Sequence, residues 1–213
     1  MSVYWLLLPP TAIVAYLFGS MDTMVLASNF VFRRNLMRLG DHSRWLSNFY
    51  RLYGVKGFLK LLAVELVKDL VPILLGALLL GLRGHADAGR AFAGFVLVLG
   101  RLFPVFYGFR GSHASLAMIV AAFGVGTSVG AAVLIVVALA VGVTRYLSLG
   151  AVGGAVVYVM VAVLAVDDRL LLRLALFTAG LVLLRHIPAL VRLIRRTEPR
   201  LSLKEDITYK LDE

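Results

Sequence analysis

The residues of this chain able to do chemistry gather where its apolar stretches break. Asp41, His42, Ser43, Ser47 and Asn48 follow the first stretch. Arg110, Ser112 and His113 follow the third, Arg145, Tyr146 and Ser148 the fifth, and His186 the seventh. A guanidinium presents a planar fork of donors that matches phosphate. Hydroxyl and amide groups add further donors, and imidazole moves a proton near neutral pH. The set fits a phosphate-bearing ligand held at one surface, although the arginines taken singly would also suit lipid headgroups. A second polar group, Lys60, Glu65, Lys68 and Asp69, lies inside an apolar stretch. Glu65 and Lys68 are three apart and share a helix face. In a bilayer a lone central charge costs about 2.5 kcal/mol or more, so such groups pair and face inward. Two readings stand: a self-neutralised structural pair, or a cation, Lys68, that helps hold an anionic ligand. The chain has no cysteine, which rules out disulfides and thiolate-bound metal.

The elements that carry these residues belong to a membrane protein. Of 213 residues 61% are hydrophobic and 16% charged, against about 45–50% and about 25% in a soluble domain. Seven apolar stretches predict seven helices: 4–32 (interrupted at Gly19, Ser20 and Asp22), 58–82, 91–109, a short 114–126, 129–143, 149–166 and 170–184. Gly124, Gly126 and Gly130 place a turn between the fourth and fifth. The expected fold is therefore an all-α polytopic bundle over residues 1–190, followed by a basic tail over 191–213.

A net charge of +10 would point to nucleic acid in a soluble chain. Here it follows the positive-inside rule, and no nucleic-acid partner is expected. Arg33, Arg34, Arg38, Arg44, Arg51, Lys56, Arg110, Arg145 and the tail cations from Arg185 onward all fall on one side, opposite Arg83, Arg90 and Arg169. That side is cytoplasmic. The N-terminus is then outside and the C-terminus inside, which needs an odd number of helices. The first 20 residues carry no Lys or Arg, which argues against a cleaved signal peptide. Small residues crowd the later helices, as close helix packing in membranes requires. No inverted repeat is visible, which weakens a transporter reading.

Several blocks resemble those of the PlsY-type acyl-phosphate:glycerol-3-phosphate acyltransferases of bacteria. Gly19-Ser20, Gly40 and Asn48 follow that family's GSIP…GSGNxGATN spacing. Glu65-Leu-Val-Lys68-Asp69 is similar to D-x-x-K-G, and Leu102-Phe103-Pro104-Val105-Phe106-Tyr107-Gly108-Phe109-Arg110-Gly111 to HxFPVFxxFKGGKG. Arg145-Tyr146-Leu147-Ser148-Leu149 matches RYxSL, and His186, Arg192-Leu193 and Thr197-Glu198 resemble HxxNIxRL…GTE. The chain departs from the pattern at Asp22 (Pro), Asp41, His42 and Ser43 (Ser-Gly-Asn), Arg101 (His), Ser112 and His113 (Gly and Lys) and Ala189 (Asn).

The resemblance implies a seven-helix enzyme of the bacterial cytoplasmic membrane. Such an enzyme joins an acyl phosphate to glycerol 3-phosphate, or to a related polar alcohol, without a covalent intermediate or a cofactor. It implies catalytic roles for His186, which would take the hydroxyl proton, and Arg145, which would neutralise the leaving phosphate. It implies substrate contacts from Ser20, Asn48, Lys68, Arg110, Gly111, His113, Ser148 and Arg192, and a membrane lipid as partner. Convergence of Asp41, His42, His113 and His186 would also permit an acid–base dyad or a zinc site, and spacing supports neither. Three functions stay open at this point: the acyltransferase, a lapsed paralogue that binds lipid or another membrane subunit, and a small transporter.

Overall fold

The computed structural model describes residues 2–27, 45–109, 111 and 114–198. The elements are α1 (Ser2–Ser20), a one-turn α2 (Thr23–Leu26), α3 (Trp45–Gly81), α4 (Ala86–Leu102), a 3-10 turn (Val105–Tyr107), α5 (Ser115–Val125), α6 (Thr127–Thr144), α7 (Leu147–Ala165) and α8 (Arg169–Ile194). No strand occurs among the described residues. Four stretches are long and apolar enough to cross a membrane: Ala86–Tyr107, Thr127–Thr144, Leu147–Ala165 and Arg169–Ile194. Val143, Leu164 and Ile194 are each more than 80% exposed. Such side chains are a liability in water and ordinary solvent contact in lipid.

Each apolar stretch is a helix, but several ends differ from expectation. The first stretch breaks where Gly19, Ser20 and Asp22 predict an interruption: α1 stops at Ser20, and α2 follows after Met21 and Asp22. The backbone breaks there because the Met21 carbonyl is taken by side chains of α3 and α4. The span Trp45–Gly81 joins two helices across a break at Gly54 (φ 59°, ψ −164°), so the second of them starts after Gly54, close to the expected residue 58. The third ends at Leu102, ahead of Pro104, because the residue before proline is disfavoured in the helical region. The seventh continues past Arg185 and His186, and through Pro188, to Ile194. The expected boundary between bundle and tail at 190/191 therefore falls inside α8. The expected turn between the fourth and fifth helices is Gly126, whose backbone is extended.

The middle of the bundle is α4, which packs against α1, α3, α5 and α8, while α6, α7 and α8 pack in sequence. Small residues make this possible. A Cβ at Gly89 would lie 2.1 Å from the Gly76 carbonyl of α3, and one at Gly100 would lie 2.3 Å from the Tyr16 carbonyl of α1. Main chains are therefore in direct contact at both crossings, as small-residue packing in membranes allows. The helix α5 has eleven residues, eight of them buried. In contrast α6 buries only Val129, Gly130 and Val133.

Candidate active site at one end of the bundle

The polar residues meet at one end because consecutive helices run antiparallel. Ser148, at the start of α7, precedes Asp167 by as many residues as His186 of α8 follows it, so the two share one depth. Arg185, next to His186, donates from Nη2 to the Gly111 carbonyl (2.6 Å). Gly111 lies against the last carbonyls of α4: a Cβ there would be 2.1 Å from the Leu102 oxygen and 2.5 Å from that of Arg101. The preceding turn is built from left-handed residues, Gly108 (φ 58°) and Phe109 (φ 61°). On the other flank of α4, the Ser20 hydroxyl donates to the Gly100 carbonyl (3.4 Å). Ser20, Gly111, Ser148 and His186 thus occupy one level.

His186 is 1% exposed. Its Nδ1 lies 2.8 Å from the Val182 carbonyl. A carbonyl can only accept, so Nδ1 carries the hydrogen. In the neutral ring Nε2 then bears the lone pair. Ser148 is equally buried, and its Oγ has no hydrogen-bond partner among the described residues. Buried hydroxyls usually have partners, which makes this one a candidate for a ligand contact.

Arg145 turns the chain between α6 and α7 in the left-handed region (φ 60°, ψ 21°) with its guanidinium exposed. Its amide donates to Val141 (2.8 Å). The Thr144 hydroxyl donates to Ala140 (2.6 Å) and accepts from the Tyr146 amide (3.2 Å). A non-glycine residue held there costs about 1–2 kcal/mol, a cost typical of functional turns. Arg192, lower on α8, is exposed. It donates from Nε to Glu198 (2.7 Å), and its carbonyl accepts from the amide and hydroxyl of Thr197.

Lys68 is buried and already engaged. Its ammonium lies 3.1 Å from Asp69 Oδ1 and 3.5 Å from Glu65 Oε1, and donates to the Met21 carbonyl (3.3 Å). The ammonium is thus ion-paired to two carboxylates and hydrogen-bonded to one carbonyl. Arg101 joins the group, 2.5 Å from Glu65 Oε1. Two cations thus meet two carboxylates, which favours the structural reading of the α3 pair. Lys60, in contrast, is exposed.

Asn48 lies within α3, its side chain outside the described residues, as are Arg110 and His113, which flank Gly111, and Asp41 and His42. Among the described residues no group of three or more His, Cys, Asp or Glu could hold a metal. Sequence reasoning missed Arg101, Arg185 and Glu198 as site neighbours. Glu198 stands six residues from Arg192, close enough to have been read as its partner. The other two contacts join distant segments and leave no local signal.

The sequence profile of the family described as "Glycerol-3-phosphate acyltransferase" matches residues 10–196. The chain belongs to this family. Among its relatives is the glycerol-3-phosphate acyltransferase of Thermoanaerobacter pseudethanolicus, 28% identical over 92% of this chain and 97% of that protein. That of Thioalkalivibrio sulfidiphilus is 30% identical over 89% and 92%. The fold matches the crystal structure of PlsY (YgiH), an integral membrane glycerol 3-phosphate acyltransferase, in its glycerol 3-phosphate form. That likeness has a TM-score of 0.74 and 23% identity, covering 95% of this chain and 99% of that one. The lysophosphatidic acid form matches with a TM-score of 0.73 and 22% identity, over 92% and 96%. As a glycerol-3-phosphate acyltransferase family member, the chain is a membrane acyltransferase of phospholipid synthesis.

Proposed function

We propose that this acyltransferase moves an acyl group from an acyl phosphate to a hydroxyl of glycerol 3-phosphate or a closely related polar alcohol. The observation that carries the reading is the buried imidazole of His186 with Nδ1 committed to Val182. That bond orients the ring and leaves Nε2 as the base. Nε2 takes the hydroxyl proton as the alkoxide oxygen attacks the acyl carbon. The new ester C–O bond forms, the acyl–phosphate C–O bond breaks, and the proton passes from His186 to the released phosphate. Arg145, with Arg110, neutralises that phosphate. Ser148 donates to the reacting groups, Ser20 accepts from the polar alcohol while its own hydrogen is held by Gly100, and Asn48, His113 and the Gly111 turn bind the second phosphate. Arg192, oriented by Glu198, contributes positive charge at the rim. Lys68 acts one layer back, through Met21. The acyl product stays with the membrane lipid.

The test is direct. Purified protein receives acyl phosphate with glycerol 3-phosphate, then with other polar alcohols, and phosphate release is followed with lysolipid formation. Release matched by acyl ester is expected. No turnover with any acceptor, and no binding of acyl phosphate, would overturn the reading.

The proposal also sets the membrane orientation. The reacting end carries the basic loops and faces the cytoplasm of a bacterial cell, with the N-terminus outside. The seven helices form one domain, and the residues beyond them a basic cytoplasmic tail. The chain has no native cysteine, so single cysteines at Asn48 and Thr208 label cleanly. An impermeant thiol reagent added to intact cells is expected to miss both and to reach both after lysis. Labelling of either without lysis would invert the topology.

A further inference from the structure

Arg101 closes a ring of contacts of which the proposed chemistry uses only that of Lys68 with Met21. Its Nη1 donates to the Met21 carbonyl (3.3 Å), and its Nη2 lies 2.5 Å from Glu65 Oε1. Lys68 Nζ is 3.5 Å from that same carboxylate oxygen and donates to that same carbonyl (3.3 Å). Carbonyl, guanidinium, carboxylate and ammonium therefore form a closed circuit across the α1–α2 break, α4 and α3. The donors of a guanidinium are fixed in one plane. Both Arg101 contacts hold together only for a narrow range of positions of Met21 relative to Glu65.

The circuit grips main chain. Met21 is held through its carbonyl, and the residue before it is Ser20, whose hydroxyl meets Gly100, the residue before Arg101. On its other side Arg101 supplies one of the carbonyls that leave Gly111 no room for a Cβ. One residue thus touches the corner that carries Ser20 with its side chain, and the turn that carries Gly111 with its backbone.

We propose that Arg101 is a positioning residue, closing a ring that holds Ser20 and Gly111 at the separation at which they receive the phosphate substrate. The identity of that substrate rests on the function proposed above, whereas the ring does not.

Arg101→Gln alone leaves Glu65 buried with one cation fewer and is expected to fold poorly. The paired change Glu65→Gln/Arg101→Gln removes both charges, leaves Lys68 with Asp69, and keeps the bundle folded. Because the ring uses the Met21 carbonyl, Met21→Cys leaves it intact and introduces a single thiol. In that background the paired variant is expected to raise the alkylation rate by a water-soluble maleimide about tenfold, from loss of a charge-assisted grip. In the cysteine-free protein the paired variant is expected to raise KM for glycerol 3-phosphate about tenfold with kcat nearly unchanged. Arg101→Lys, which keeps the charge and one contact, is expected to fall between. An unchanged alkylation rate, an unchanged KM in the folded paired variant, or a loss confined to kcat would each overturn the proposal. A wild-type protein without turnover would sink the reaction proposed above, and the alkylation rates would still decide the ring.

Discussion

Replacing His186 by alanine is expected to lower kcat by about 10²–10⁴-fold, the usual worth of a placed general base. The expectation comes from geometry, because the bond from Nδ1 to Val182 assigns the tautomer and leaves Nε2 to accept a proton. His186→Gln keeps a polar side chain of similar reach without a titrating base and should lose nearly as much. Arg145 allows a cleaner separation of chemistry from folding. Arg145→Gly removes the guanidinium and relieves the left-handed backbone, worth about 1 kcal/mol or more. That variant is expected to unfold at the same or a higher temperature and to lose most of its turnover. Rates within threefold of wild type for both His186→Ala and Arg145→Gly would show that neither group touches the reacting atoms.

Lys68→Ala is expected to destabilise the protein by about 3–5 kcal/mol, because it removes one partner from a buried ion group. Glu65 and Asp69 would face Arg101 alone, with Lys68's bond to Met21 lost as well. Lys60 projects outward, and its stem can lie along the apolar surface with the ammonium at the interface. Lys60→Ala should change stability by under about 0.5 kcal/mol. Thermal unfolding of the two variants in the same detergent checks the contrast. Equal melting temperatures would mean that the α3 ion group does not hold the helices together.

These results also mark how far the chain could be read without coordinates. Each helix was legible because an apolar run of that length has few alternatives in a bilayer, and a cluster such as Gly124–Gly126 marks a turn. The ends were less legible, since they depend on partners. The interruption at Gly19, Ser20 and Asp22 was legible, but not the Lys68 and Arg101 donors that take the Met21 carbonyl there, which lie 47 and 80 residues away in sequence. The polar pair Arg185–His186 read as a membrane exit. A helix need not stop where polarity begins, and α8 continues for two more turns. Among the proposed site residues, His186, Arg145 and Ser148 stood out because polar types gather where the apolar runs break and lie on blocks that resemble the family's. Lys68 stood out for the same reason, although its charge is spent on Glu65, Asp69 and Met21. No spacing rule could have paired Arg101 with Glu65, because their contact exists only once α3 and α4 are side by side.

The brevity of α5 bears on how the chain is built. Eleven residues rise about 16 Å, roughly half of a hydrocarbon core of about 30 Å. On its own Ser115–Val125 would leave terminal carbonyls facing lipid, where unsatisfied backbone groups cost several kcal/mol each. Biogenesis therefore cannot proceed by adding stable spans one at a time. This segment has to partition as a pair with Thr127–Thr144, or wait at the translocon until α4 and α8 are there to enclose it. A truncation ending after Val125 should be a substrate for membrane quality control, whereas one ending after Ala165 has already given α5 most of its neighbours.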